Sequence, residues 1–268
     1  MKIIAPFEKM FTPYVLIALN LAIIIGAEFV GGGTYFEQTG LIHAFAILFV
    51  VLIVARIFSD YAFSDHILRG FLKIQLGFFL FLGLIHVYEY LGLYIYMLND
   101  EVVESSAVIA YLIWLIGNTL AIEWVFRIYR QSSAKLVSIF GTAIALLVSL
   151  IVTLHIFSQS IHEIPEWTHG VALSLLLASA VLSIWRLIQI KKIMPVFNDY
   201  ARYAIPSIVL VAIAGLSEYA EAEGFFSTIG IHEIQNLYIS HFIIYAALSI
   251  LLIGFGKLKK PQGIYADM

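Results

Sequence analysis

The strongest constraint on this 268-residue chain is a series of eight long apolar stretches joined by short polar connections. A helix needs ~20 apolar residues to cross the hydrocarbon core of a bilayer, and each stretch reaches that length. The predicted spans are 13–32, 38–59, 67–97, 106–129, 134–158, 168–190, 204–224 and 235–256. The sequence therefore predicts an all-α, polytopic integral membrane protein with about eight transmembrane helices.

Composition supports this fold class and narrows the possible functions. Hydrophobic residues make up 62% of the chain and charged residues 12%, whereas soluble domains carry ~25% charged residues. The connections are too short for an extramembrane domain, so residues 1–268 are expected to form a single membrane domain. Cysteine is absent, which excludes disulfides, thiolate metal sites and redox thiols.

Charge is separated between the two sides of the predicted membrane. Threading the eight spans places all fifteen Lys and Arg residues on the side of the N-terminus. By the positive-inside rule that side is the cytoplasm, so both termini are expected to be cytoplasmic and the protein to lie in an inner membrane. The opposite, periplasmic face carries acidic residues without Lys or Arg. It is expected to attract cations and repel anions, so nucleic acid is not an expected partner.

A weak internal repeat relates the two halves of the chain. A Glu followed by an aromatic residue closes three of the predicted helices on the periplasmic side. These pairs are Glu28-Phe29, Glu89-Tyr90 and Glu218-Tyr219. We interpret the repeat as two four-helix halves, 1–130 and 134–258, related by an axis along the membrane normal.

Histidine and glutamate gather in the periplasmic half of the predicted bundle. Seven of the eight His residues map there, and His86 and His241 lie ~10 Å below the membrane boundary at 1.5 Å per residue. A carboxylate within the hydrocarbon region costs ~2.5–3.5 kcal/mol, and no Lys or Arg on this side can neutralise it. A bound cation would do so, and imidazole and carboxylate are ligands for iron, zinc or manganese.

The candidate metal ligands come from most of the predicted spans. They are Glu28, His43, His86, Glu89, His155, His169, Glu218, Glu221 and His241. His86 and Glu89 are three residues apart and share a helix face. Metal-binding helical bundles use inward Glu and His at this spacing, although here the His precedes the Glu. The sequence leaves open whether the nine residues form one site or two.

Haem b is the alternative cofactor. His43 with His86 could ligate one haem, and His155 or His169 with His241 a second. The number of carboxylates favours a divalent, non-haem ion, because bis-His haem ligation does not require them. The alternative is a purely structural role, in which a His or Glu near a helix end forms hydrogen bonds at the membrane–water interface, as Glu28 could.

Three functions follow from these alternatives. The first is a metal-binding redox or metalloenzyme subunit with its centre near the periplasmic face; whether the chain is itself an enzyme stays open. The second is a metal-ion or proton-coupled transporter, which needs polar groups along the whole path, whereas the inner half holds no mid-membrane carboxylate. The third is a sensor or scaffold subunit. Besides the lipid bilayer, expected partners are other membrane subunits or a second copy.

Two details of the cytoplasmic boundary complete the predictions. Glu123 and Arg127 are four residues apart, so they are expected to pair on one helix face. The connection 193–203 is expected to be a short polar loop, with Pro206 near the start of the seventh span.

Overall fold

The computed structural model describes residues 13–30, 35–61, 64, 66–91, 100–130, 166–222, 228–230 and 233–258. This part of the chain contains seven long helices, which confirms the all-α prediction. They are α1 (Pro13–Val30), α2 (Tyr35–Tyr61), α3 (His66–Leu91), α4 (Asp100–Tyr129), α5 (Glu166–Ile193), α6 (Val196–Ala222) and α7 (Glu233–Gly256).

The sequence predicted eight spans, but among the described residues six helices are long and apolar enough to cross a membrane. The spanning segments are Ile42–Tyr61, Ile67–Tyr88, Tyr111–Tyr129, Leu173–Ile193, Val196–Ser217 and Tyr238–Gly256. The first predicted span forms the 18-residue helix α1, which is not among these six segments. The fifth predicted span, 134–158, lies outside the described residues. The structure is thus that of a multi-pass membrane protein with six candidate spans.

The helices form a closed bundle. From α2 to α7 each helix packs against the next, and α7 packs back against α2. The first helix contacts both α2 and α7, and α4 also touches α6. The bundle therefore has an interior that all six spanning helices face.

Side-chain contacts give the relative directions of the helices. Gln75 bonds to Asn118 and Phe79 packs on Trp114, so α3 and α4 are antiparallel. Thr119 meets Ser183 and Glu123 meets Arg186, so α4 and α5 run parallel. Rising residue numbers also match between α2 and α7, where His43 meets His241 and Phe49 meets Tyr245. These two helices begin at the same end of the bundle.

The buried face of α3 carries two polar residues, Gln75 and His86, among apolar ones. Buried residues recur at three- and four-residue intervals, which places them on one helix face. They are Phe71, Gln75, Phe79, Leu82 and His86. The opposite surfaces of the bundle expose large apolar side chains such as Phe58 and Leu84, as expected for helices that face lipid rather than water.

Helix α6 begins earlier than predicted. It starts at Val196 and includes Pro206 within the helix, so the expected polar connection 193–203 is reduced to Met194 and Pro195. Hydropathy places the start of this span too late because its first turns are polar. The backbone hydrogen bonds of a helix do not require apolar side chains, and the segment Val196–Ser217 as a whole is still apolar enough to cross a membrane.

A buried amide pair joins α3 to α4 near the middle of the bundle. The Gln75 Nε2 donates to Asn118 Oδ1 at 2.8 Å. The second amide atoms, Gln75 Oε1 and Asn118 Nδ2, have no hydrogen-bond partner among the described residues. The pair therefore leaves two buried polar atoms without a hydrogen bond among the described residues, and its contribution to stability depends on the presence of both side chains.

We expect Asn118→Leu alone to destabilise the protein more than the double variant Gln75→Leu/Asn118→Leu. The single variant leaves the whole Gln75 amide buried without its partner, at a cost of ~1–3 kcal/mol, whereas removing both partners is nearly neutral. Reversible denaturant unfolding of detergent-purified protein measures the difference. A double variant that loses as much as the two single variants together would contradict this account.

Candidate metal centre

Two histidines meet at the end of the bundle where α2 and α7 begin. The imidazole rings of His43 and His241 have centroids 4.9 Å apart with an interplanar angle of 69°. Each residue is only 5% exposed. Both histidines are therefore buried inside the bundle.

Residues one turn deeper hold the His pair in place. Tyr245 lies one turn after His241, with ring centroids 6.1 Å apart, and its hydroxyl donates to the backbone carbonyl of Ile42, the residue before His43. Phe49 stacks on the Tyr245 ring at 5.5 Å. Tyr245 therefore contacts both helices that carry the histidines and fixes their relative height.

A polar neighbour completes the described surroundings of the pair. Ser240 Oγ lies 3.4 Å from His241 Nδ1, at the long end of the hydrogen-bond range. An imidazole that donates from Nδ1 to Ser240 carries its metal-binding lone pair on Nε2. A hydrogen bond of this kind commonly selects the metal-binding tautomer of a histidine.

The separation of the rings distinguishes between possible ligation modes. Two imidazoles that bind one tetrahedral ion through ~2.1 Å bonds have ring centroids ~5 Å apart. Axial ligands of a haem lie on opposite sides of the iron, which separates the centroids by ~6 Å and places a porphyrin between the rings. The His43–His241 geometry fits neighbouring ligands of a single ion. Without an ion it is an edge-to-face ring pair, worth ~0.5–1.5 kcal/mol.

The nine predicted ligands are only partly visible in the described structure. His86 is 2% exposed on the interior face of α3, the helix that packs against α2. The side chains of five others lie outside the described residues although their backbones are helical: Glu28, Glu89, His169, Glu218 and Glu221. His155 lies outside the described residues altogether. Among the side chains that the structure describes, no group of three or more His, Asp or Glu residues could hold a metal ion.

The contact between the two histidines joins the two halves of the chain. The haem alternative grouped His43 with His86 and grouped His241 with His155 or His169, and the sequence left open whether there is one site or two. The structure places His43 beside His241, and His86 lies on the helix that packs against α2. The physical reason is that α7 closes the bundle against α2, which brings the two halves together at this end.

The opposite end of α4 confirms one predicted pair and adds a partner that the sequence did not reveal. Arg127 Nε lies 2.8 Å from Glu123 Oε1, as the four-residue spacing predicted. Arg186 of α5 binds the other carboxylate oxygen, Oε2, at 2.7 Å. An interhelical partner such as Arg186 leaves no spacing signal in the sequence, and the same holds for the contact of Tyr245 with α2.

Comparison with known proteins adds no family to this description. No protein-family model, curated protein or solved structure matches the chain. The class that the fold defines is the multi-pass membrane protein, on the strength of its six long apolar helices.

Proposed function

We propose that this multi-pass membrane protein binds a divalent metal ion between α2 and α7, with His43 and His241 as two of its ligands. The observation that carries the proposal is the approach of two buried imidazoles to 4.9 Å. Iron, zinc and manganese are the ions that suit a mixture of imidazole nitrogen and carboxylate oxygen. This geometry favours such an ion over haem b.

The remaining ligands are proposed from the sequence. His86 lies on the buried face of the neighbouring helix and is the first candidate for a third ligand. The other candidates are residues that the sequence assigns to the same side of the membrane: Glu28, Glu89, His155, His169, Glu218 and Glu221. A carboxylate among them would offset the charge of the ion, which two neutral imidazoles cannot do.

A fixed metal centre fits the bundle better than a transport path. A path would require polar groups that stay available to a passing ion, whereas several polar side chains in the middle of the bundle tie helices together. Thr119 and Ser183 join α4 to α5 at 2.5 Å, and Ser207 donates to the Ala247 carbonyl of α7 at 2.9 Å. We therefore propose a redox or metalloenzyme subunit ahead of a transporter.

The proposed topology keeps the eight spans and the two four-helix halves. Its structural support is the parallel arrangement of α4 and α5: the chain must return from one end of the bundle to the other between Arg130 and Glu166. Segment 134–158 is apolar and long enough for that return. The His pair would then face the periplasm of an inner membrane, with the basic residues in the cytoplasm.

Metal analysis of the protein purified in detergent tests the proposed function. We expect about one iron, zinc or manganese ion per chain after washing with a weak chelator, and loss of that ion to a strong chelator. An absorption spectrum recorded on the same sample should show no Soret band. Metal-free protein that also fails to take up each of the three ions at micromolar concentration would reject the site. Ion uptake by sealed proteoliposomes would favour the transporter.

A further inference from the structure

Three arginines and one glutamate meet where α4 and α5 pack together, at the end of the bundle opposite the His pair. We name Arg127, Arg130 and Arg186 the arginine cluster. We propose that this cluster binds the phosphate of an anionic membrane lipid, whose acyl chains lie along the exposed face of α5. The proposal is independent of the metal centre.

Glu123 holds two members of the cluster together. It accepts from Arg127 Nε through one carboxylate oxygen at 2.8 Å and from Arg186 Nε through the other at 2.7 Å. A terminal nitrogen of Arg186, Nη1, donates to Gln189 Oε1 at 2.8 Å. Glu123 thus fixes the positions of two guanidinium groups while neutralising only one positive charge.

Phe126 brings the third arginine to the same place. The Arg130 guanidinium carbon lies 4.3 Å from the Phe126 ring centroid, and the Arg186 guanidinium carbon lies 4.6 Å from it. Both distances are within the range of a cation–π interaction. Among the described residues Arg130 forms no ion pair, and its side chain is exposed.

The cluster has more positive charge than the described carboxylates neutralise. Arg127 and Arg186 share the Glu123 carboxylate, and Arg130 forms no ion pair with the other described carboxylates, because Asp60 binds Arg56 and Asp199 binds Arg202. The sequence contains no Asp or Glu between Glu123 and Glu163. An anion with several oxygen acceptors, such as a phosphate, is the complementary ligand, since arginine binds phosphate through charged hydrogen bonds.

The surface beside the cluster identifies the phosphate as part of a lipid. On α5 the side chains of Val181, Leu182 and Trp185 are 66%, 47% and 50% exposed. They form an apolar strip that ends at Arg186, whose guanidinium carbon lies 4.7 Å from the Trp185 ring centroid. A positively charged group at the end of an apolar, lipid-facing strip matches an amphiphile with an anionic headgroup. Free phosphate would gain nothing from the strip.

The location at the membrane boundary agrees with this assignment. Trp185 lies beside Arg186 near the C-terminal end of α5, and Tyr129 is exposed near the end of α4. Such aromatic residues favour the headgroup level of a bilayer. Basic residues at that level attract anionic lipids of the cytoplasmic leaflet, with about a fivefold gain in binding for each Lys or Arg.

Quenching of Trp185 fluorescence by brominated lipid tests the proposal in mixed micelles. The probes are dibromo-phosphatidylglycerol and dibromo-phosphatidylcholine, and the Trp185→Phe variant gives the background from the other tryptophans. We expect the brominated phosphatidylglycerol to quench Trp185 at a several-fold lower mole fraction than the brominated phosphatidylcholine. Arg130→Gln should weaken that preference about fivefold. The matched control, Arg202→Gln, removes an exposed arginine and should leave it unchanged.

Four results would overturn the proposal. Equal quenching by the two brominated lipids would show that the cluster does not recognise the headgroup charge. An effect of Arg202→Gln as large as that of Arg130→Gln would show that only the overall surface potential matters. Protection of Trp185 from both lipids would show that a protein surface covers the strip. Millimolar glycerol phosphate should not displace the lipid, and displacement by it would identify a site for a soluble anion instead.

Discussion

His241→Ala is expected to weaken the binding of the proposed metal ion by ~100-fold or more. Loss of a residue that only orients a ligand costs 10–100-fold in affinity, and loss of a ligand itself should exceed that. His43→Ala should have the same effect because the two rings are equivalent neighbours at 4.9 Å. Competition with a chelator of known affinity measures the change. His66→Ala is the matched control, since His66 begins α3 at the opposite end of the bundle.

The double variant His43→Ala/His241→Ala separates a metal centre from a structural ring pair. If both imidazoles bind one ion, the second substitution removes little further affinity, because residues that act as a unit are strongly non-additive. If the rings only pack on each other, each single variant retains its metal content and loses ~0.5–1.5 kcal/mol of stability. Metal content and unfolding measured on the same four proteins decide between the two results.

Much of the fold could be predicted because a bilayer imposes a simple rule on each span. Long apolar runs predicted helices that the structure places within a few residues, as for α2 and α7. The rule misplaces the start of a helix whose first turns are polar. Helix α6 begins at Val196, whereas the predicted span began at residue 204.

The sequence predicted that His43 and His241 lie at the same end of the bundle, but it did not predict that they contact each other. Charge and position along each span placed His43 and His241 at the same end of the membrane. Nothing in the sequence shows which helices are neighbours, and the contact between α2 and α7 joins residues about two hundred positions apart in the chain. The same limit explains why Arg127 was found as the partner of Glu123 and Arg186 was not. Spacing reports contacts within one helix only.

Gly117→Ala is expected to destabilise the protein by overpacking the contact between α3 and α4. A Cβ at Gly117 would lie 2.2 Å from Phe78 Cγ and 2.4 Å from Phe78 Cδ2. Cγ is the root of the Phe78 ring, so the ring cannot avoid the methyl group by a small tilt, and α3 and α4 must separate. Overpacking of this kind costs ~1–3 kcal/mol. Unfolding of the purified variant in a graded denaturant measures the loss.

Gly77→Ala is the matched control, on the helix that packs against α4. A Cβ at Gly77 meets nothing within 4 Å, so alanine should leave stability unchanged or raise it by up to ~1 kcal/mol through its helix propensity. In a Phe78→Ala background the loss caused by Gly117→Ala should largely disappear, because the atoms that clash are gone. If the loss persisted there, the close approach of α3 and α4 at Gly117 would not be its cause. The loss of stability would then come from the α4 backbone at Gly117 and not from its contact with α3.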